Sequence, residues 1–227
     1  MSLSESPSPA AASPLEAQVP PLPRPPRAAR LHKQQLILAE AERQFARLGL
    51  EGVSLDSIAT ALGISRQNML YYYGTKDELY DAVLDNVLQS WVQNMDDMAR
   101  AEEPEAAVRN YVQAKLRFSQ QRPWGSAVFT REVMAGAPRF GPRLSQAVMP
   151  RLREDVATFE RWAREGRIRS VNFTHLMFVI WSATQAYADQ APQFALFMDK
   201  PALDEGDFEA AHALISDMVL CTLRQPG

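Results

Sequence analysis

The sequence predicts an all-α protein in two parts, an N-terminal three-helix domain and a larger C-terminal helical bundle. Three observations carry that prediction. From Lys33 onward apolar residues recur at three- and four-residue intervals, with no sustained strand-type alternation. Glycines and prolines cut this pattern into helix-length pieces. Of 227 residues, 46% are apolar and 22% charged, enough for a sizeable core.

Residues 1–30 stand apart. They hold eight of the 16 prolines and no aromatic residue. Such a stretch cannot bury enough surface to offset its ordering entropy, so a disordered Pro-rich tail is expected. Its basic end, Arg24, Arg27 and Arg30, either solubilises the chain or lies against an anionic surface. The expected domains are then 31–78 and 79–227.

In the first domain, Ile37, Ala41, Phe45 and Leu48 share one face of a helix that Gly49 ends. Ser54 caps a second helix carrying Leu55, Ile58, Ala59 and Leu62. Gly63 stops it, and Ser65 caps a third that runs to about Tyr73. Thr75 caps a fourth, with Glu78 completing a capping box. Leu79, Val83, Val87 and Trp91 form its apolar row, and it runs to about Arg100. Further helices are expected near 105–121, 124–136, 142–165, 173–190 and 206–223.

Several functions are excluded. Net charge is −3, so any contact with an anionic polymer needs a local basic patch. The single cysteine, Cys221, and three scattered histidines, His32, His175 and His212, give no disulfide framework and no metal-ligand spacing. No metal or cofactor is expected. The longest apolar run, near 176–180, is far short of the ~20 residues a membrane span needs, and the N-terminus lacks a signal-type core. A soluble, cytoplasmic protein follows. Residues 80–227 show no catalytic triad order, HExxH or phosphate-cradling glycine loop, so an enzyme is not expected.

The stretch 54–73, SLDSIATALGISRQNMLYYY, is the informative one. A short amphipathic helix meets a glycine-containing turn and then a second short helix. Helices crossing near 90–120° need a small side chain at the contact, here Ala59, and a residue tolerant of positive φ, here Gly63. Met69 then locks the second helix onto the first. This is a helix-turn-helix, although an ordinary helical corner shares the turn. The outward face argues for DNA. Arg66, Gln67 and Asn68 follow the Ser65 cap, where the motif meets base edges in the major groove. Arg grips guanine, and Gln and Asn grip adenine, each bidentately; a merely solvated face is the alternative. Of three consecutive tyrosines, Tyr73 is expected inside. Tyr71 and Tyr72 are then candidate phosphate contacts, and the caps Ser54 and Ser65 are candidate DNA-binding residues. Lys76, in the first turn of the fourth helix, sits at an anion site. From Arg24 to Lys76 eight basic residues face four acidic ones, a local +4 on an acidic chain.

The stretch 45–80, FARLGLEGVSLDSIATALGISRQNMLYYYGTKDELY, resembles the N-terminal domain of TetR-type regulators. Tyr73 stands where that family usually has Phe. The resemblance implies a homodimer of nine-helix chains that grips a double-stranded DNA operator, most often as a repressor. A small ligand in the C-terminal domain would loosen that grip.

In the second domain, Trp181, Thr184, Gln185 and Ala188 form one helical stripe. An amide beside an indole suits a small planar ligand with imide or lactam edges, and Trp91 could supply a second wall. Ordinary packing is the alternative. The segments REVMAGAP (131–138), ERWAREGRI (160–168) and IWSATQAYADQAP (180–192) resemble the pyrimidine-utilisation, RutR-like subgroup of that family. That resemblance implies a uracil- or thymine-type base between Trp91 and Trp181, held by Gln185. A purine, drug or fatty-acid effector is the alternative within the family. An adaptor or enzyme with a vestigial DNA domain is the alternative outside it. Helices 173–190 and 206–223 are candidates for the dimer seam through Phe178, Ala186, Ile215, Met218 and Val219, which could equally be core of one chain.

Overall fold

The computed structural model describes residues 27–93 and 98–225. Among them there are ten α-helices, one 3-10 turn and no strand. The tail expected to be disordered lies outside the described residues up to position 26. Its last four residues do not. The first helix, α1, spans Arg27–Leu48, because Arg27, Ala28, Ala29 and Arg30 are good helix formers and extend it beyond the expected start at Lys33.

Helices α2 (Leu55–Ala61) and α3 (Arg66–Tyr72) follow α1. They pack on each other, and α2 packs on α1. Ile37, Phe45, Ile58 and Met69 are fully buried between them, and Tyr73 is buried as expected. Gln44 ties α1 to α2, accepting a 2.7 Å hydrogen bond from Ser57 Oγ. The turn between α2 and α3 is a Schellman motif. Ile64 N–H donates to Ala59 C=O and Gly63 N–H to Thr60 C=O, with Gly63 at φ +62°. A side chain there would be strained by conformation alone, since nothing lies near its Cβ position.

Helix α4 spans Lys76–Gln93, and a separate 3-10 turn spans Met98–Arg100, in place of one helix to Arg100. Thr75 Oγ1 accepts from Glu78 N–H as expected, but the Glu78 carboxylate accepts from Gly74 N–H, one residue before the cap. The bundle continues with α5 (Pro104–Gln121), α6 (Pro123–Met134), α7 (Phe140–Arg164), α8 (Phe173–Asp189), α9 (Ala191–Phe197) and α10 (Glu205–Leu223). Helix α7 begins two residues before the expected position 142, with Pro142 in its first turn. Helix α9 was not expected. Pro192 reads as a stop for α8, yet it occupies the first turn of a new helix, where a missing N–H costs nothing.

Helix α5 packs against α8 and α10, and α1 packs against α4 and α6. Helix α6 is therefore shared. It touches α1 and α4 on one side and α5 and α8 on the other. Gly125 makes the close approach possible, because a Cβ there would stand 3.0 Å from Glu42 Oε1 and 3.3 Å from a Val87 methyl.

Candidate nucleic-acid interface and ligand cavity

The α3 surface is built from its cap outward. Ser65 Oγ accepts from Asn68 N–H at 3.1 Å, which starts the helix and leaves Arg66, Gln67 and Asn68 all exposed at its first turn. Ser54 does the same for α2, accepting from Ser57 N–H at 3.0 Å, and it too is exposed. Tyr71 is 56% exposed and Tyr72 is half-buried, their rings edge-to-face at 5.2 Å. The Arg30 guanidinium lies 5.9 Å from the Tyr71 ring centre, which brings the N-terminus of α1 beside α3. The fold thus gathers Arg30, Ser65, Asn68 and Tyr71 from two helices and one turn. Two cations carry partners. Arg66 pairs with Asp56 of α2, and Lys76 lies 3.9 Å from Glu51. Both pairs are solvent-exposed on at least one side and contribute little to stability. A polyanion can displace such carboxylates.

The second site is a cavity of about 620 Å3 among α4, α5, α6, α7 and α8. Trp91, Trp181, Thr184 and Gln185 all line it. Their arrangement differs from a slot between two indoles. The Trp91 and Trp181 rings meet edge-on, with centroids 5.4 Å apart and planes at 65°, so no ring fits between them. Edge-to-face contact is the geometry that aromatic quadrupoles favour. Trp91 also leans on Phe129 at 5.5 Å, and Trp181 Nε1 donates a 2.7 Å hydrogen bond to the Tyr111 hydroxyl. Thr184 is buried and donates to the Ile180 carbonyl at 2.8 Å, so its hydroxyl hydrogen is spent on its own helix. Gln185 Nε2 donates to Ser126 Oγ, to Thr130 Oγ1 at 3.2 Å and to Asp189 Oδ1 at 3.1 Å.

Those partners of Gln185 lie mostly on α6, whose other side holds the N-terminal domain. Arg122, at the start of α6, pairs with Glu42 of α1 and donates to Asn86 Oδ1 of α4 at 2.9 Å. Arg131 Nε donates to the Ala46 carbonyl at 2.8 Å, on the last turn of α1. Glu132 is buried; it accepts from the Tyr80 hydroxyl at 3.0 Å and from Arg139 N–H at 2.7 Å, which caps α7. One short helix is thus bonded to Gln185 at the cavity and to α1 and α4 on its other side.

Sequence reasoning missed Lys115, Phe129, Ser126 and Thr130. Lys115 was detectable: it interrupts the apolar stripe Val108, Tyr111, Val112, Phe118 on α5. It is 3% exposed, and burial, partly opposed by the charge of Asp155, pushes its amine down to about 7. The seam residues are corrected in part. Ile215 and Val219 are 8% and 4% exposed within one chain, because they close α10 against the bundle. Met218 is exposed, as are Val179 and Leu214, and Phe178 lies at the cavity wall.

Among the described residues no helix is long and apolar enough to cross a membrane, and no group of histidines, cysteines and carboxylates could hold a metal. Residues 37–83 match the model for bacterial regulatory proteins of the tetR family, and residues 84–225 match the model for the C-terminal region of YcdC-like proteins. The chain is 35% identical over 161 residues to the HTH-type transcriptional regulator RutR of Escherichia coli strain K12, covering 71% of this chain and 76% of that protein. RutR of Shigella flexneri matches equally. The fold is similar to that of the ketosteroid transcriptional regulator KstR2 of Mycobacterium tuberculosis, with TM-score 0.70 and 16% identity over 86% of this chain and 96% of that one. It is also similar to the TetR family regulator PfmR of Thermus thermophilus, with TM-score 0.66 and 19% identity over 84% and 96%.

Proposed function

The chain belongs to the tetR family of bacterial regulatory proteins, and from that premise we propose a repressor whose operator affinity falls when a pyrimidine-type base enters the cavity. The chain is a ligand-responsive, DNA-binding transcriptional regulator homologous to RutR, and not an enzyme. In the proposed mechanism Arg66, Gln67 and Asn68 of α3 read base edges, while Ser54, Ser65, Tyr71, Tyr72 and Lys76 hold phosphates. The protein acts in the cytoplasm as a homodimer, pairing through the exposed face of Val179, Leu214 and Met218 on α8 and α10. Two recognition helices then meet successive major grooves about 34–36 Å apart.

The observation that carries this reading is the double bonding of α6. Gln185 donates to Ser126 and Thr130 on its cavity side, and Arg122, Arg131 and Glu132 hold α1 and α4 on the other. A ligand that takes over the Gln185 amide frees or shifts α6, and the shift reaches the reading head directly. The magnitudes permit it. A base of about eight non-hydrogen atoms can bind with at most ~12 kcal/mol, and switching a population from 1:99 to 99:1 needs only about 5.5 kcal/mol of preference. The base lies against one indole face instead of between two.

Calorimetry and gel shift test the reading together. Uracil should bind the intact protein and weaken its hold on operator DNA. Gln185→Ala should still bind operator DNA, more weakly because its own tie to α6 is gone, and should lose the uracil effect. Equal uracil affinity in the variant, or none in the parent, removes the proposal. One observation favours a larger effector: 620 Å3 is room for on the order of twenty waters at ~30 Å3 each, well beyond one pyrimidine. A purine- or fatty-acid-sized ligand protecting the protein from melting where uracil does not would establish that second reading.

A further inference from the structure

We propose that Lys115 anchors an ionised oxygen of the effector, so that the cavity selects a planar organic anion, a ring carboxylate, over the same ring uncharged. The inference takes from the functional reading only that this cavity is the effector site.

Lys115 projects from α5 and is the only charged residue among the described residues that line the cavity. The cavity lining is otherwise neutral, mostly apolar residues such as Phe129, Leu144 and Val148 with a few hydroxyls and the Gln185 amide. Its Nζ is buried and makes no hydrogen bond to any described residue. It stands 3.8 Å over the face of the Trp91 ring and 5.4 Å from the centre of the Tyr111 ring. An ammonium has three donors, and ring faces satisfy its charge without satisfying its N–H directions. Two other cations of the bundle are tied down: half-buried Arg122 by Glu42 and Asn86, and exposed Arg131 by carbonyls of α1. Lys115 keeps its donors for something that enters the cavity.

The charge of that guest follows from the groups facing the amine. Asp155 of α7, also buried, acts on it electrostatically in favour of the protonated form. The Trp91 face favours a cation as well. Tyr111 is held neutral by burial, and its oxygen already accepts from Trp181. Burial works against the charge on Lys115, and Asp155 and the Trp91 face oppose that loss only in part, so an anionic oxygen beside the amine would hold its proton on and gain a charge-assisted bond about twice as strong as a neutral one.

The test is a calorimetric comparison of two matched pairs on the full chain: uracil against uracil-6-carboxylate, and benzamide against benzoate. The carboxylate of at least one pair should bind tenfold tighter or better than its neutral mate. In the double variant Lys115→Met with Asp155→Asn, which removes both charges together, that preference should disappear. Lys115→Gln is the second variant; it keeps a donor and should retain the neutral ligand while losing the preference. Neutral members binding as tightly in both pairs, no member binding at all, or either folded variant keeping the preference overturns the proposal. Benzoate binding while neither uracil compound binds supports the anion anchor and removes the pyrimidine reading. Uracil binding as tightly as its carboxylate, with the benzoate pair equally indifferent, does the reverse.

Discussion

Helix α3 and helix α8 use their polar residues in opposite ways. In α3, Met69 is the sole buried side chain, and Arg66, Gln67 and Asn68 face solvent. In α8, five residues are buried, and the polar ones are committed to neighbours: Trp181 to Tyr111, Thr184 to its own backbone, Gln185 to α6. The exposed face of α3, proposed to read bases, is thus a set of outward-facing groups on a small rigid support. The cavity wall is a network under mutual constraint, and in the proposed switch a ligand would displace one of its bonds and move a helix. A reading surface needs side chains free to meet a partner, and a switch needs side chains already holding something they can release.

This contrast predicts which substitutions act on stability and which on recognition. The largest effect is expected at Met69→Ala, which empties the support beneath α3 and should cost about 2–5 kcal/mol in urea unfolding. Operator binding would then be lost through the fold. Next is Arg122→Ala. It leaves Glu42 buried at 8% exposure without its cation, and the loss should be about 2–3 kcal/mol, read as a lowered melting temperature. The same variant should blunt the effect of ligand on DNA binding, because α6 no longer holds α1 and α4 together. Asn68→Ala should do the opposite, weakening operator affinity by about 1–3 kcal/mol per half-site in a gel-shift titration with an unchanged melting curve. If its melting curve falls as well, the two regions are less distinct than their geometry implies.

A last effect is a pH slope. Lys115 loses its proton near 7 in the native state and only near 10.5 when unfolded. Between those values the unfolded chain binds more protons, so this residue makes stability rise with pH, by at most about 1.4 kcal/mol per unit. Melting between pH 7 and 9 should show the rise in the parent and a flatter profile in Lys115→Gln.

Much of the reading head was legible along the chain. Ser54, Ala59, Gly63, Ser65 and Met69 do their work within twenty consecutive residues, where capping, turn chemistry and helix period are local. The boundaries that failed did so where local signals are ambiguous. Pro192 can end one helix or open another, and Arg27 to Arg30 follow a proline run yet have helical propensity. Trp181 and Gln185 were found because they share one stripe, but their partners were not. Ser126, Thr130 and Tyr111 lie 55 to 70 positions away in the chain.

By itself the sequence determined the helical class, the caps and turn of the DNA-reading unit, and which residues it turns outward, since these depend on interactions spanning three or four positions. Tertiary structure alone decided that the two indoles touch edge-on, that Ile215 and Val219 serve one chain's core, that α6 joins cavity to reading head, and that Lys115 lies buried with its donors open. Those outcomes depend on how five helices crowd around one space, and crowding is set by packing between distant segments, which no local pattern encodes.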